Sequence, residues 1–403
     1  MPAGLHLTAR RHPAPLRALA ALALATALAG TAAAAAVLWV TPVPEGAATL
    51  SSEGDVTLHT DGGSELLAPS VRGDSIQFCH GRLLGIDSQG HLRALSGTDV
   101  GPTVSLHSRP ACLADGRVVA IASGARSVLL LSPELQTQAS VALAALPDGD
   151  PTPVGDAVAL LTQPTQRYRH GILGDEIEAG ALTLLRQDDL STVATLTLAA
   201  PAVIEQRRVQ PFPAAGRYGM LITRSTPTEG AGVQAVALED GALAVVAAAP
   251  PIGSGERWLN LFAAHGDHAY AVRTPHIRGP LERYALTGRD LTVARFGLDV
   301  TNHVIGSRNL DLALLLPPPG AADGAPGRDL LALPSFDRKH VQIVACDTDG
   351  CAIVRTLPLQ AALSSNLTAA WRGELLMLYA GLETGALQRF TLGAALWSTP
   401  TTP

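Results

Sequence analysis

Apolar runs recur along the chain with one grammar. A glycine is followed by one or two mostly polar residues, then by an alternating or continuous apolar run. The pattern reads GRLLGI at Gly81, GRVVAI at Gly116, GDAVALL at Gly155 and GRYGMLI at Gly216, then GDHAYAV at Gly266, GRDLLAL at Gly327 and GELLMLY at Gly373. Successive copies lie 35, 39, 61, 50, 61 and 46 residues apart. After most copies a turn-rich gap leads to a second apolar run, such as SVLLLSPEL, ALTLLRQDDL or VQIVACDTDG. Short apolar runs bounded by turn residues predict strands. A turn, a strand, a loop and a second strand repeated at this spacing predict propeller blades.

The expected fold is therefore all-β, a seven-bladed β-propeller over residues 71–396. Near-continuous runs such as VVAIA and LLALP suit a strand covered on both faces by neighbouring sheets, placed first in each blade. The preceding glycine then supplies the positive-φ turn that links blades. VTLHT at Val56–Thr60 is expected to close the ring as an outer strand against the last copy. A pair of β-sandwiches competes, but the intervals persist through the middle of the chain without a break in composition.

The N-terminus carries a different pattern. Arg10, Arg11 and Arg17 precede Ala18–Val40, which is uncharged and apolar apart from threonine and glycine. A helix of this length spans a hydrocarbon core of about 30 Å. The basic flank predicts that residues 1–17 stay cytoplasmic. A-x-A sites around Ala33–Ala36 offer cleavage instead. Residues 18–40 are thus read as a signal-anchor or a signal-peptide helix, residues 41–70 as a stalk with the ring-closing strand, and 397–403 as a tail. Both readings export the body, leaving it tethered in the periplasm or outside the cell, or secreted.

Composition sharpens this picture in two places. Apolar residues make up 47% of the chain, enough for a large core, while aromatic residues make up only 4%. Beyond the three N-terminal arginines, 26 basic side chains face 35 acidic ones. An acidic body repels phosphate backbones, so nucleic acid is not an expected partner. Four cysteines fit an oxidising compartment. Cys346 and Cys351 bracket Asp-Thr-Asp-Gly between two β-rich runs, so they face each other across a hairpin. Cys79 and Cys112 lie near the starts of neighbouring copies and form the second candidate pair. No CxxC spacing points to zinc.

The long intervals locate the candidate site. In the third copy the excess falls at Gln163–Ala179, which holds all but the last residue of RYRHGILGDEIEAG. In the fifth it falls at TPHIRGPLERYAL, Thr274–Leu286. Both loops join the first and second apolar runs, and all such loops emerge on one propeller face. TNHVIGSRNLDL, Thr301–Leu312, continues the same sector. The ligand-binding candidates are His170, Asp175, Glu176, Glu178, His276, His303 and Arg308, with Asp175 and Glu176 set apart because the fifth copy lacks a counterpart to them. Convergent polar groups on a concave face suit a ligand, whereas charged loops also serve as plain solvated decoration.

HGILGDEIEAGAL, TPHIRGPLERYAL and NHVIGSRNLDLALL, followed by RDLLALPSFDRKHVQIV, resemble bacterial exported repeat proteins of the VCBS or FG-GAP type over roughly 151–392. The resemblance implies a β-propeller whose blades carry calcium-binding loops of the form D-x-D-x-D-G. The chain departs from that form. GAADGAPGRDLL keeps only Asp323 and Asp329, and Asp148-Gly149-Asp150 and Asp347-Thr348-Asp349-Gly350 are the nearest remnants. Calcium wants about six or more oxygens, so the expectation is no cofactor, with calcium as its lower-ranked alternative.

Catalytic signatures are missing as well: there is no G-x-S-x-G, HExxH or P-loop. The function expected is an exported, membrane-tethered binding module for a protein or glycan of the cell envelope. The alternative is a hydrolase or lyase with a His/carboxylate site on the loop face.

Overall fold

The protein is described here from a computed structural model, which covers residues 35–319 and 328–397. The basic n-region, most of the expected signal helix, Asp323 and nearly all of the tail lie outside the described residues. Among the described residues no helix is long and apolar enough to cross a membrane.

The chain winds through eight antiparallel meanders, at 37–68, 72–103, 111–142, 152–197, 203–248, 259–296, 314–358 and 363–393. Seven of them have four strand positions and the last has three. The fourth and fifth share one sheet through a single pair, Ala179 with Ile204. Among the described residues eight hydrophobic clusters hold the meanders together, each centred on two consecutive ones, with Ile172 and Leu173 of the fourth also reaching the cluster of the fifth and sixth. Leu130 and Val158 meet between the third and fourth, for example, and Leu330 and Leu378 between the seventh and eighth. The eighth cluster packs Val37, Val40 and Ala47 of the first meander against Met377 and Tyr379 of the last. Stacking is therefore circular, and the fold is a β-propeller.

The register of the repeat differs from the expectation. Each glycine-led apolar run is the second strand of its meander, as with Val118–Ile121 and Asp329–Pro334, and not the first. Second strands lie between two neighbouring sheets and bury both faces. Leu330 to Leu333 are all fully buried, which stabilises the fold by about 1.5–3 kcal/mol for each large side chain. First strands line the centre, so they mix polar with apolar positions. Several are only two residues long, such as Ala111–Cys112 and Val203–Ile204.

The added eighth blade accounts for a second correction. Val37–Val43 is a strand, so the expected helix over 18–40 cannot extend past residue 36. The expected stalk is a complete meander, and Val56–Thr60 is its third strand. Ring closure falls to Val37–Val43, which packs on Leu363–Arg372. There Asn366 imitates a paired strand: its Nδ2 donates to the Val40 carbonyl at 2.8 Å, and its Oδ1 accepts from the Val40 amide at 2.7 Å. Both expected disulfides are present. Cys79–Cys112 staples the first strands of the second and third blades, a loop length worth about 3–4 kcal/mol in the chain-entropy model. Cys346–Cys351 bonds directly opposed residues of one hairpin.

Candidate functional site

Loops between second and third strands share a propeller face with the connections between blades. This places residues 166–177, 274–280 and 301–313 side by side. Gly174, at φ +99°, lets the first loop lie against the third, where a Cβ would meet the Gly306 carbonyl at 3.0 Å. The Gly306 amide donates to the Ile172 carbonyl at 3.0 Å. Asn260 and Asn302 exchange side-chain-to-carbonyl hydrogen bonds at 3.0 and 2.9 Å, pinning the connection to the sixth blade. Thr301 Oγ1 donates to the Pro275 carbonyl at 3.0 Å. His276 rides on a single 3-10 turn, Pro275–Ile277, flanked by Thr274 at φ 43° and Arg278 at φ 57°. Two non-glycine residues in the left-handed region mark a strained turn.

Three of the expected histidines meet around Trp258. The indole stacks on His276 at 6.2 Å and 10°, and meets His303 edge-on at 4.9 Å. His303 Nε2 lies 2.8 Å from the Ser307 carbonyl, which can only accept, so Nε2 carries the proton. In the neutral ring Nδ1 is then the acceptor, and it receives Nε2–H of His276 at 2.8 Å. His276 Nδ1 is left as the unprotonated nitrogen of the relay. Burial, with the charge of nearby His170 adding to it, pushes His276 down to about 4. Burial outweighs the Ser307 hydrogen bond and takes His303 down to about 3.

His170 is in the opposite state. Its Nδ1 lies 2.6 Å from Oε1 of Glu205, a fully buried carboxylate whose own carbonyl accepts from Trp258 Nε1 at 2.9 Å. Burial alone would lower His170, but the hydrogen bond and charge of Glu205, with Glu256, hold it above the ordinary histidine range. Glu178, also buried, is raised well above a normal carboxyl, by desolvation first and then by Glu205, Asp148 and Asp175. Two buried carboxyl oxygens here, Glu178 Oε1 and Glu205 Oε2, have no hydrogen-bond partner among the described residues. A cavity of about 160 Å³ opens above, lined by His170, Ile172, Glu256, Trp258, His276 and Ile305. Ile277 and Ile305 flank it at 64% and 67% exposure.

Asp175 and Arg308 belong to a second assembly, a plug of four arginines and four aspartates across the centre of the face. Arg109 donates to Asp311 at 3.0 Å and to Asp150 at 3.1 Å. Arg208 donates to both oxygens of Asp311. Arg207 reaches Asp150 at 3.2 Å, and Arg308 reaches Asp175 at 2.9 Å and Asp148 at 3.4 Å. The two guanidiniums hold Asp311 far below the usual carboxylate range against the pull of burial, whereas burial raises Asp148. Glu176 takes part in neither assembly: its half-exposed side chain faces Arg169 at 3.9 Å. The special role expected of the Asp175-Glu176 pair therefore splits into a half-buried ion pair and a solvated acid. Glu205, Trp258, Arg109, Arg207 and Arg208 carry no signal of their own in the sequence beyond the charge-dense run Glu205–Arg208, and Asp150 stands out only as a calcium-loop remnant. The calcium-loop remnants are otherwise engaged. Asp150 pairs with arginines, and Asp347–Gly350 turns the cystine hairpin. Among the described residues no cluster of three or more His, Cys, Asp or Glu side chains is arranged to hold a metal ion.

In its fold the chain resembles Sqt1 of Saccharomyces cerevisiae, with a TM-score of 0.54 at 9% identity, covering 89% of this chain and 96% of that one. It is also similar to the computationally designed Ika8 protein, at 0.53, 9%, 89% and 96%. The Cps50 (Swd1) β-propeller domain of Myceliophteria thermophila follows at 0.46, 12%, 89% and 98%. The likeness is one of fold. No family model matches the chain, and no curated protein matches its sequence. Of the VCBS or FG-GAP resemblance, the propeller stands.

Proposed function

We propose that the protein is an exported interaction propeller that docks a cell-envelope protein on the face carrying loops 166–177, 274–280 and 301–313. The observation that carries this reading is the pair Ile277 and Ile305, both exposed, on either side of a cavity floored by imidazole and indole. An apolar anchor in a small pocket with a charged rim is the anatomy of a protein hot spot. A glycan fits less well, because sugars stack on open aromatic faces and Trp258 is 2% exposed. Export is supported by the arginines ahead of the apolar segment 18–36 and by two disulfides, which favour an oxidising compartment. Tethering through that segment is part of the proposal. The hydrolase or lyase alternative has a carboxylate-oriented imidazole in His170, but His276 and His303 are too weakly basic to act as bases at neutral pH.

The test is capture from solubilised envelope by the protein, against an Ile277→Asp/Ile305→Asp variant. Loss of a specific captured protein at unchanged melting temperature is expected. Equal capture by both proteins sinks the docking face.

A further inference from the structure

A further cavity lies along the centre of the ring, apart from the pocket at Trp258. It holds about 470 Å³ and follows the inner strands, with walls from Trp39 and Val40 of the first blade, Gln77 and Phe78 of the second, Phe262 of the sixth and Asn366 of the eighth. Its inner end is closed by Arg109, Arg208 and Asp311 of the plug. The cavity is thus a blind chamber in the ring's centre.

Three features of this chamber converge. First, aromatic side chains gather along it, Phe78 half-buried and Trp39 and Phe262 set deeper in the core. Only 4% of the chain is aromatic, yet Trp39, Phe78 and Phe262 all line this one space. Second, its floor keeps unspent donors: Arg109, Arg208 and Asp311 line it, and Asp150 pairs with Arg109 from behind. Arg208 gives two of its five N–H groups to Asp311, and Arg109 gives one each to Asp311 and Asp150, which leaves donors on both. Third, the guanidiniums are held in place in advance. Arg109 packs over the Trp39 ring at 5.0 Å, and Asp311 fixes both arginines, so an incoming carboxylate meets an ordered donor array.

We infer that the central chamber binds a small aromatic carboxylate, its acid group on Arg109 and Arg208 and its ring between Trp39, Phe78 and Phe262. The volume lies within the usual range for small-molecule pockets. An aromatic cation is disfavoured by the floor, and a neutral analogue loses the charge-assisted bonds. The site is independent of the docking face, so either can fail without the other.

The experiment is isothermal titration of the full chain with 3-phenylpropionate, naphthalene-2-carboxylate and indole-3-acetate, each beside its primary amide. At least one acid is expected to saturate one site, at least tenfold tighter than its amide, with affinity falling as salt rises. Phe78→Ala, at a half-buried position, is expected to weaken the acid at least fivefold while leaving the melting temperature within a few degrees. Arg208→Gln is expected to abolish the preference for acid over amide, its folding checked by circular dichroism. If none of the three acids outbinds its amide up to millimolar concentration, the inference is overturned. Binding that Phe78→Ala leaves unchanged overturns it equally, since the acid then sits elsewhere.

Discussion

Two histidine arrangements sit within one sector of the loop face and titrate in opposite directions. His276 and His303 bond to each other and are driven down to about 4 and about 3. His170 bonds to Glu205 and is held above its ordinary value. Desolvation is the largest influence on all three, and for each it favours the neutral ring. What separates them is whether the buried partner carries compensating charge. An imidazole partner merely relays a neutral hydrogen bond, whereas a carboxylate retains a proton on the ring and so keeps an ion pair under the surface. One surface therefore sets an imidazole held toward its charged form next to a pair held toward the neutral one.

The largest effect is expected from breaking the ion pair. Glu205→Gln keeps the shape and removes the counter-charge, so His170 should fall below its ordinary range, read by the pH dependence of its imidazole NMR signals. Breaking a buried pair from one side typically costs about 3 kcal/mol, and the loss should be greatest near pH 6, where His170 is charged. The sign follows from linkage. A raised histidine stabilises the fold below the unfolded value of 6.5, and that contribution is lost as pH rises through the folded value. The variant should therefore lose stability at pH 6 and much less at pH 9. An unchanged His170 titration would show that Glu205 does not hold the proton.

His303→Asn tests the other arrangement. A depressed histidine binds fewer protons folded than unfolded below 6.5, so wild-type stability falls as pH drops from 6.5 toward 4 and then 3. The limiting slope is about 1.4 kcal/mol per pH unit for each such histidine. Removing His303 should flatten this acid limb in urea melts taken from pH 7 to pH 4. A limb as steep as wild type would mean that His303 already titrates in the folded protein.

How much of this was legible in the sequence follows from which side chains carry pattern. Second and third strands announce themselves because their runs are long and buried, as in Ala157–Thr165 and Glu178–Arg186. Both cystines follow from position. That His170, His276, His303 and Arg308 share a face follows from repeat spacing alone. First strands such as Val203–Ile204 and Leu314–Leu315 are too short to show a period, so the sequence pattern sets the repeat one strand out of phase. The first blade was hidden because its opening strand continues an alanine-rich apolar run. Glu205 and Trp258 lie in connections between periodic segments, and only the fold brings Glu205 within reach of His170, 35 positions away.

The smallest predicted effect concerns Glu178, which sits beside the ion pair without joining it. Buried near Glu205, Asp148 and Asp175, it keeps its proton well above the usual carboxyl range. A raised acid binds more protons folded than unfolded above its unfolded value, so its contribution falls as pH rises beyond about 4.5. Glu178→Gln replaces the protonated acid with a neutral group of the same shape. It should therefore raise stability by about 1 kcal/mol at pH 8 and change it little at pH 4. Measured beside Glu205→Gln, it separates the two acids of this pocket. The carboxylate that must stay charged is costly to neutralise, and the one that must stay neutral is not. Equal losses from both substitutions at pH 8 would mean that Glu178, too, is ionised in the fold, and the contrast between the two histidine arrangements would then need a second charged acid to explain it.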